Sequence, residues 1–438
     1  MSKPLCVIQG PIFNRSGYGD LATDLAKSLV RYGKYDVKIA ATRWGACPSK
    51  TTLEELDTEE DKHLSTLFLQ QNLNKQPELF IQISIPNEFQ PVGKYNIGIT
   101  AGIETSIASA QWIESCNKMD VVFTISEHSK NVFLASQYGK RTTTGEDLGV
   151  VKLEKPVEVL FEGVDLNVYK LLDKLPQNEL FNRINSIPES FAYLYLGHWL
   201  QGDIGEDRKN VGLLIKAFFE LFKNKKNRPA LVLKTSIVGP SYMDRDEILK
   251  RIQQIRNTVN STDLPNIYLL HGEFTDEEMN QIYNHPKVKA MVSLTKGEGF
   301  GRPLLEFTQS KKPIIATNWS GHVDFLDSEF CSLINGTLTN VHPSAANQWL
   351  IKEGKWFSPD TGQAGYFLKD MYENYKNYTD GGKRQGYHAK INFSFEKMIE
   401  KLAEHFKRIP ELPKQVELKL PQLKKIELPK LQKVEANG

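Results

Sequence analysis

The chain has 438 residues, too many for one ordinary core and suited to two α/β domains of about 150–200 residues each. Hydrophobic residues make up 40% and charged residues 25%, which excludes a largely disordered chain. Lys plus Arg number 55 against 53 Asp plus Glu, so there is no broad electrostatic footprint for nucleic acid or an anionic membrane, and only a local patch stays open.

The first residues, MSKPLCVIQGPIF, hold a short apolar stretch that runs into a Gly and Pro turn. No apolar run approaches the roughly 18 residues of a membrane span, and no signal peptide is expected. Cys6, Cys47, Cys116 and Cys331 lie far apart without a C-x-x-C pair, so neither a zinc site nor a disulfide framework is indicated. A reducing, cytoplasmic compartment fits this pattern.

Apolar, β-branched runs alternate with helical patterns, as in βαβ units whose parallel sheets are covered on both faces. Residues 5–9 open the first sheet, and the loop GPIFNRSGYG leads into a helix with Leu21, Leu25 and Leu29 on one face, stopped by Gly33. Further strands are expected at 36–41, 80–85, 95–100, 120–125 and 157–161, and the polar segment 170–190 reads as a linker. A second series follows at 192–196, 230–235, 267–271, 288–294 and 313–317. Phe395, Met398, Ile399, Leu402 and Phe406 predict an amphipathic helix over 395–408, ended by Pro410. The repeats LPKQVE, LPQLKKIE and LPKLQKVE at 410–438 predict an extended tail, because their prolines and charges cannot form a core.

The stretch 296–321, KGEGFGRPLLEFTQSKKPIIATNWSG, follows a strand and opens a helix. Gly299 and Gly301 beside Phe300 let backbone approach a ligand, Pro303 suits a first helical turn, and free N–H groups there suit an anion. Glu298 and Glu306 flank that turn and can accept hydrogen bonds from two sets of hydroxyls, as a sugar joined to a ribose by a diphosphate presents them. The plainer alternative is a solvated Glu298, a Glu306 on the helix dipole, and glycines that only turn the chain.

The E-x7-E spacing from Glu298 to Glu306 around GFGRPLL resembles the retaining glycosyltransferases of group 1, or family 4, with the GT-B fold. SGYG at 16–19, VEVLFEGVD at 157–165, DRKNVGLLIKAF at 207–218, IYLLHGEF at 267–274 and PIIAT at 313–317 resemble further family landmarks in the same order. Together they cover residues 5–408. The resemblance implies an acceptor domain at 1–175, a nucleotide-sugar domain at 190–392, and a helix at 393–408 crossing back to the first domain. The tail at 410–438 follows it.

Position by position, the resemblance implies that Glu298 contacts donor-sugar hydroxyls, that Glu306 holds the ribose, and that Gly17 and Gly19 line the cleft near the diphosphate. Lys209 matches the family's diphosphate lysine. The arginine's place is open between its neighbour Arg208 and His198, which follows Gly197 where the family has G-R. The family's N-terminal histidine is missing from GITAGIET, and Glu104 is a candidate substitute. Ser126 and Lys130 resemble cleft residues but also read as a helix cap and a surface helix. Trp44, in the loop 42–50, is a candidate lining of an acceptor pocket.

Asp244 and Asp246 form a D-x-D, the metal motif of another glycosyltransferase fold, but they precede an apolar helical pattern and read as a helix cap. His271, His322 and His342 lack ligand spacing and read as structural. The activity that the resemblance implies is transfer of a hexosyl or pentosyl group, with retention, from a nucleotide sugar to a hydroxyl, and the lack of ligand spacing makes it metal-independent. That donor is a co-substrate, and no cofactor is implied. The acceptor, whether glycan, lipid or small molecule, is open. Two rivals remain at this point: transfer onto a hydroxymethylated DNA base, as some virus-encoded enzymes perform, and a non-catalytic sugar-nucleotide-binding protein.

Overall fold

The apolar run Leu5–Gly10 forms strand β1, and a computed structural model of the chain builds the first of two parallel sheets around it. The structure describes residues 3–410 except 46, 51, 53, 54, 57 and 72. The expected repeat tail, from 411 onward, thus lies outside the described residues. The first sheet adds β2 (Asp36–Ala41), β3 (Leu79–Ile83), β4 (Tyr95–Thr100) and β5 (Val121–Thr124). A hairpin of β6 (Tyr138–Arg141) and β7 (Asp147–Val151) precedes its last strand, β8 (Val157–Val159). The second domain contributes β9 (Ala192–Leu196), β10 (Ala230–Lys234), β11 (Ile267–Leu270), β12 (Val288–Ser293), β13 (Ile314–Thr317) and β14 (Ser332–Ile334). A final hairpin pairs β15 (Gly336–Asn340) with β16 (Lys355–Pro359).

Both six-stranded sheets are parallel, with orders β2-β1-β3-β4-β5-β8 and β11-β10-β9-β12-β13-β14. In each, the chain starts in the middle and later changes direction, so a crevice opens where neighbouring strands send their loops to opposite faces. That switch falls between β1 and β3 in the first domain and between β9 and β12 in the second. Loops from these strand ends line one shared cavity of about 560 Å³, so two Rossmann-like domains face each other across a cleft in the GT-B arrangement.

Helix Gly17–Tyr32 starts after β1 because Ser16 caps it, its hydroxyl accepting from Gly19 N–H. Gly33 ends it in the left-handed region at φ 72°. Its buried Leu21, Leu25 and Leu29 pack on the sheet. Segment 170–190 is no bare linker: it holds helix Glu179–Asn185, whose Leu180 and Ile184 are buried, while Asn178 and Gln281 exchange hydrogen bonds.

Helix Phe395–Phe406 leaves the second domain and covers the first. Phe406 meets Tyr32 edge-on at 5.8 Å, and His405 Nε2 lies 3.0 Å from the Val159 carbonyl oxygen. The crossing is tied by backbone bonds of 2.9 Å from Val164 N–H to Phe393 O and from Phe395 N–H to Val164 O. Among the described residues no helix is long and apolar enough to cross a membrane.

Candidate active site

The loop after β12 carries the Glu298 turn, and its glycines have two distinct reasons. A Cβ on Gly299 would overlap the Ala101 carbonyl oxygen, and one on Gly297 would overlap that of Glu104, so both glycines serve the meeting of the two domains. This corrects the expectation that Gly299 is needed for ligand approach, although Gly299 and Phe300 do line the cavity. Gly301 stands at φ 98°, a left-handed conformation that favours glycine, and starts helix Arg302–Thr308 with Pro303 in its first turn.

Lys209 reaches Glu298 from the start of helix Val211–Phe222, its Nζ 2.6 Å from each carboxylate oxygen. Burial alone would raise the Glu298 carboxyl, but Lys209 and Arg208 more than offset this and hold it down at about 2, so the pair is ionised. Arg208 stands behind Glu298. Its Nη1 donates to Gly297 O at 2.6 Å and lies 3.5 Å from Glu298 Oε2, and its Nη2 lies 3.3 Å from Glu104 Oε1. The expected direct diphosphate contact from Arg208 is therefore corrected: its guanidinium is engaged by these groups and it does not line the cavity.

His198 does face the cleft, its Nδ1 3.1 Å from Ser236 Oγ. Desolvation by the cleft walls, then the charges of Lys209 and Lys234, lower its pKa, so it is neutral at pH 7. Lys234, the last residue of β10, faces the same cavity and went unnoticed in the sequence. Its place at the carboxyl end of a parallel strand beside the switch was the available signal.

Glu306 lies one turn beyond Arg302. Its Oε1 is 3.0 Å from Arg302 Nε, and its Oε2 accepts from the Tyr283 hydroxyl at 3.1 Å. Burial raises its carboxyl to about 8 despite the neighbouring Arg302. Arg302 itself, inside the quoted motif, also binds Asp24 of the first domain at 2.7 Å.

On the opposite wall Gly17 lines the cavity, and a Cβ there would meet nothing within 4 Å. Gly19 does not line it: its Cβ would overlap the Asn14 carbonyl oxygen, so it serves the chain's own turn, which corrects the expected cleft role. Trp44 stacks on Tyr18 at 4.2 Å, and both line the cavity with Glu104. Ser126 is buried and caps helix Glu127–Ala135, and Lys130 pairs with Glu158 at 3.8 Å, so neither belongs to the cleft lining.

The cap of helix Tyr242–Asn257 is Ser241, not the D-x-D. Asp244 instead accepts from Ile237 and Val238 N–H and lies 2.9 Å from His271 Nε2, tying the preceding loop to the helix. His322 is buried with Nε2 2.6 Å from Thr317 O, and His342 Nδ1 bonds Ser344 at 2.8 Å. Among the described residues no group of three His, Cys, Asp or Glu side chains is placed to hold a metal.

Residues 199–348 match the sequence family described as glycosyl transferases group 1. No curated protein matches the chain. Among solved structures, Anabaena Alr3699/HepE in complex with UDP and glucose aligns with TM-score 0.58 at 12% identity, covering 93% of this chain and 100% of that one. Sucrose-phosphate synthase from Thermosynechococcus elongatus aligns with TM-score 0.59 at 13% identity over 92% and 98%. An E. coli structure described as trehalose-6-phosphate bound with UDP-2-fluoro glucose gives 0.57 at 10% over 92% and 99%. At such identities the likeness is one of fold. The chain thus combines a GT-B fold with a segment that matches the group 1 glycosyl transferase family, and that segment contains Lys209, Glu298 and Glu306.

Proposed function

We propose that the protein is a retaining glycosyltransferase of the family 4 type that moves a sugar from a UDP-sugar to an acceptor hydroxyl without a divalent metal. The observation that carries this reading is the ionised Lys209–Glu298 pair, held at the β9/β12 switch point and open to the cleft between the domains. The group 1 segment and the UDP-bound fold neighbours support it.

In this reading Glu298 accepts from hydroxyls of the donor sugar, and Glu306 accepts from the ribose. The acceptor oxygen forms its bond to the anomeric carbon on the face from which the diphosphate leaves. The bond from that carbon to the phosphate oxygen breaks, and the acceptor proton passes to the departing diphosphate. Negative charge grows on the leaving group, where Lys209 and Lys234 stabilise it. The neutral His198 donates or accepts a hydrogen bond there without adding charge. Arg208 acts through Glu298, fixing its carboxylate from behind.

A thermal-shift screen of nucleotide sugars followed by donor hydrolysis and transfer assays tests the reading. Stabilisation by a UDP-sugar with turnover is the expected result. Binding without hydrolysis or transfer to any acceptor would make the chain a binding module and overturn it.

A further inference from the structure

Arg302 is placed where three carboxylates converge, and two of them come from the other domain. Its Nη1 is 2.7 Å from Asp24 Oδ2, on helix Gly17–Tyr32, and 3.7 Å from Glu162 Oε2, just beyond β8. Its Nε is 3.0 Å from Glu306 Oε1 in its own helix. The four side chains are 17%, 16%, 7% and 10% exposed in the order Arg302, Asp24, Glu162 and Glu306, so water screens them little. Among the described residues Glu162 Oε2 is buried without a hydrogen-bond partner and pairs with Arg302 alone.

One guanidinium is therefore shared. With the domains together, Asp24 and Glu162 compete with Glu306 for Arg302. With the domains apart, Asp24 and Glu162 are withdrawn, together with the nearby Asp20 of helix Gly17–Tyr32, and Arg302 keeps Glu306. The lone pairs that Glu306 can offer to a ligand hydroxyl depend on how strongly Arg302 claims them, because a carboxyl oxygen that already accepts from a guanidinium is a weaker acceptor for a third group. We propose that Arg302 is a positioning residue that makes ribose binding by Glu306 depend on domain closure, through its pairing with Asp24 across the cleft. This rests on the reading of Glu306 as the ribose-binding group. By reciprocity, nucleotide binding at Glu306 then favours the closed arrangement to the same extent.

The test compares the intact wild-type chain with Asp24→Asn, which keeps the shape and removes the charge. Calorimetry measures the affinity of each for UDP and for 2′,3′-dideoxy-UDP, which lacks the ribose hydroxyls. Asp24→Asn is expected to weaken UDP about tenfold and the dideoxy nucleotide less than twofold, so the penalty follows the hydroxyls. Thermal melts confirm that the variant is folded. Equal weakening of both nucleotides, or no weakening by a folded Asp24→Asn, would overturn the proposal. A wild-type chain that binds UDP without preferring it over the dideoxy form would instead remove Glu306 from the ribose, and one that does not bind UDP would overturn the functional reading beneath it.

Discussion

Lys209 and Glu298 form a two-armed ion pair, with the Lys209 ammonium 2.6 Å from both Glu298 oxygens, and they join the loops that follow β9 and β12. Each side chain fixes the other where charge must develop during transfer. Lys209→Ala should lower kcat by roughly 10²-fold while KM for the donor changes much less, because the charge matters most as the diphosphate departs. Glu298→Gln should cut transfer severely in a folded protein. Wild-type rates at saturating donor in either variant would remove that residue from the site.

Acid and alkali should act on the two glutamates in opposite senses. The Glu298 carboxyl is held at about 2 against an ordinary 4.5, so its stabilisation is complete above pH 4.5 and is lost as pH falls toward 2. That contribution is at most about 3 kcal/mol. Glu306 is raised from 4.5 to about 8, so between these values the folded chain holds a proton that the unfolded chain has released. Stability from this group therefore declines as pH rises through that window. Denaturation across pH should show a flatter acid limb in Glu298→Gln and a flatter alkaline decline in Glu306→Gln. A Glu306→Gln variant that loses stability more steeply than wild type above neutrality would contradict the burial of that carboxyl.

Gly299→Ala places a methyl group against the Ala101 carbonyl of the first domain. The two domains should no longer close fully, and activity should fall at least tenfold while each domain keeps its secondary structure. Small-angle scattering with and without UDP measures the closure. Unchanged closure and rate would mean that the backbone around Ala101 shifts to admit the methyl group without parting the domains.

Exhaustive chelation should leave transfer intact. The D-x-D carboxylate Asp244 is engaged by two backbone N–H groups and His271, which leaves it poorly placed for a cation. Loss of activity with a chelator and its return with manganese would make Asp244 and Asp246 the better candidates.

Most strands of the two sheets were legible because each is a short apolar run such as LCVIQ or AYLYL, whereas the three-residue β14 and the hairpin β15–β16, whose β15 is wholly exposed, were not. Nor was the edge hairpin β6–β7, since Tyr138–Arg141 and Asp147–Val151 are mostly exposed and have no core to advertise. Glu298, Glu306 and Lys209 were readable from spacing and resemblance, and the fold brings all three to one cavity. The reasons for Gly299 and Gly297 were not readable, because the carbonyls they accommodate lie about 200 residues earlier in the chain, where tertiary contact outweighs local preference. Arg208 was misread for a related reason. Adjacent residues at a helix start point different ways, and only Lys209 turns to the cleft.

Helix Phe395–Phe406 also has a bearing on how the protein is made. The first sheet emerges from the ribosome early, yet Val164 pairs with residues 393–395 only after about 230 further residues, and Tyr32 meets Phe406 only after about 370. Until then an apolar strip on the first domain faces solvent, and the hydrogen bonds of Val164 go to water. The leading domain is thus completed last, by the trailing end of the other, so the two halves mature as a single product and not in sequence.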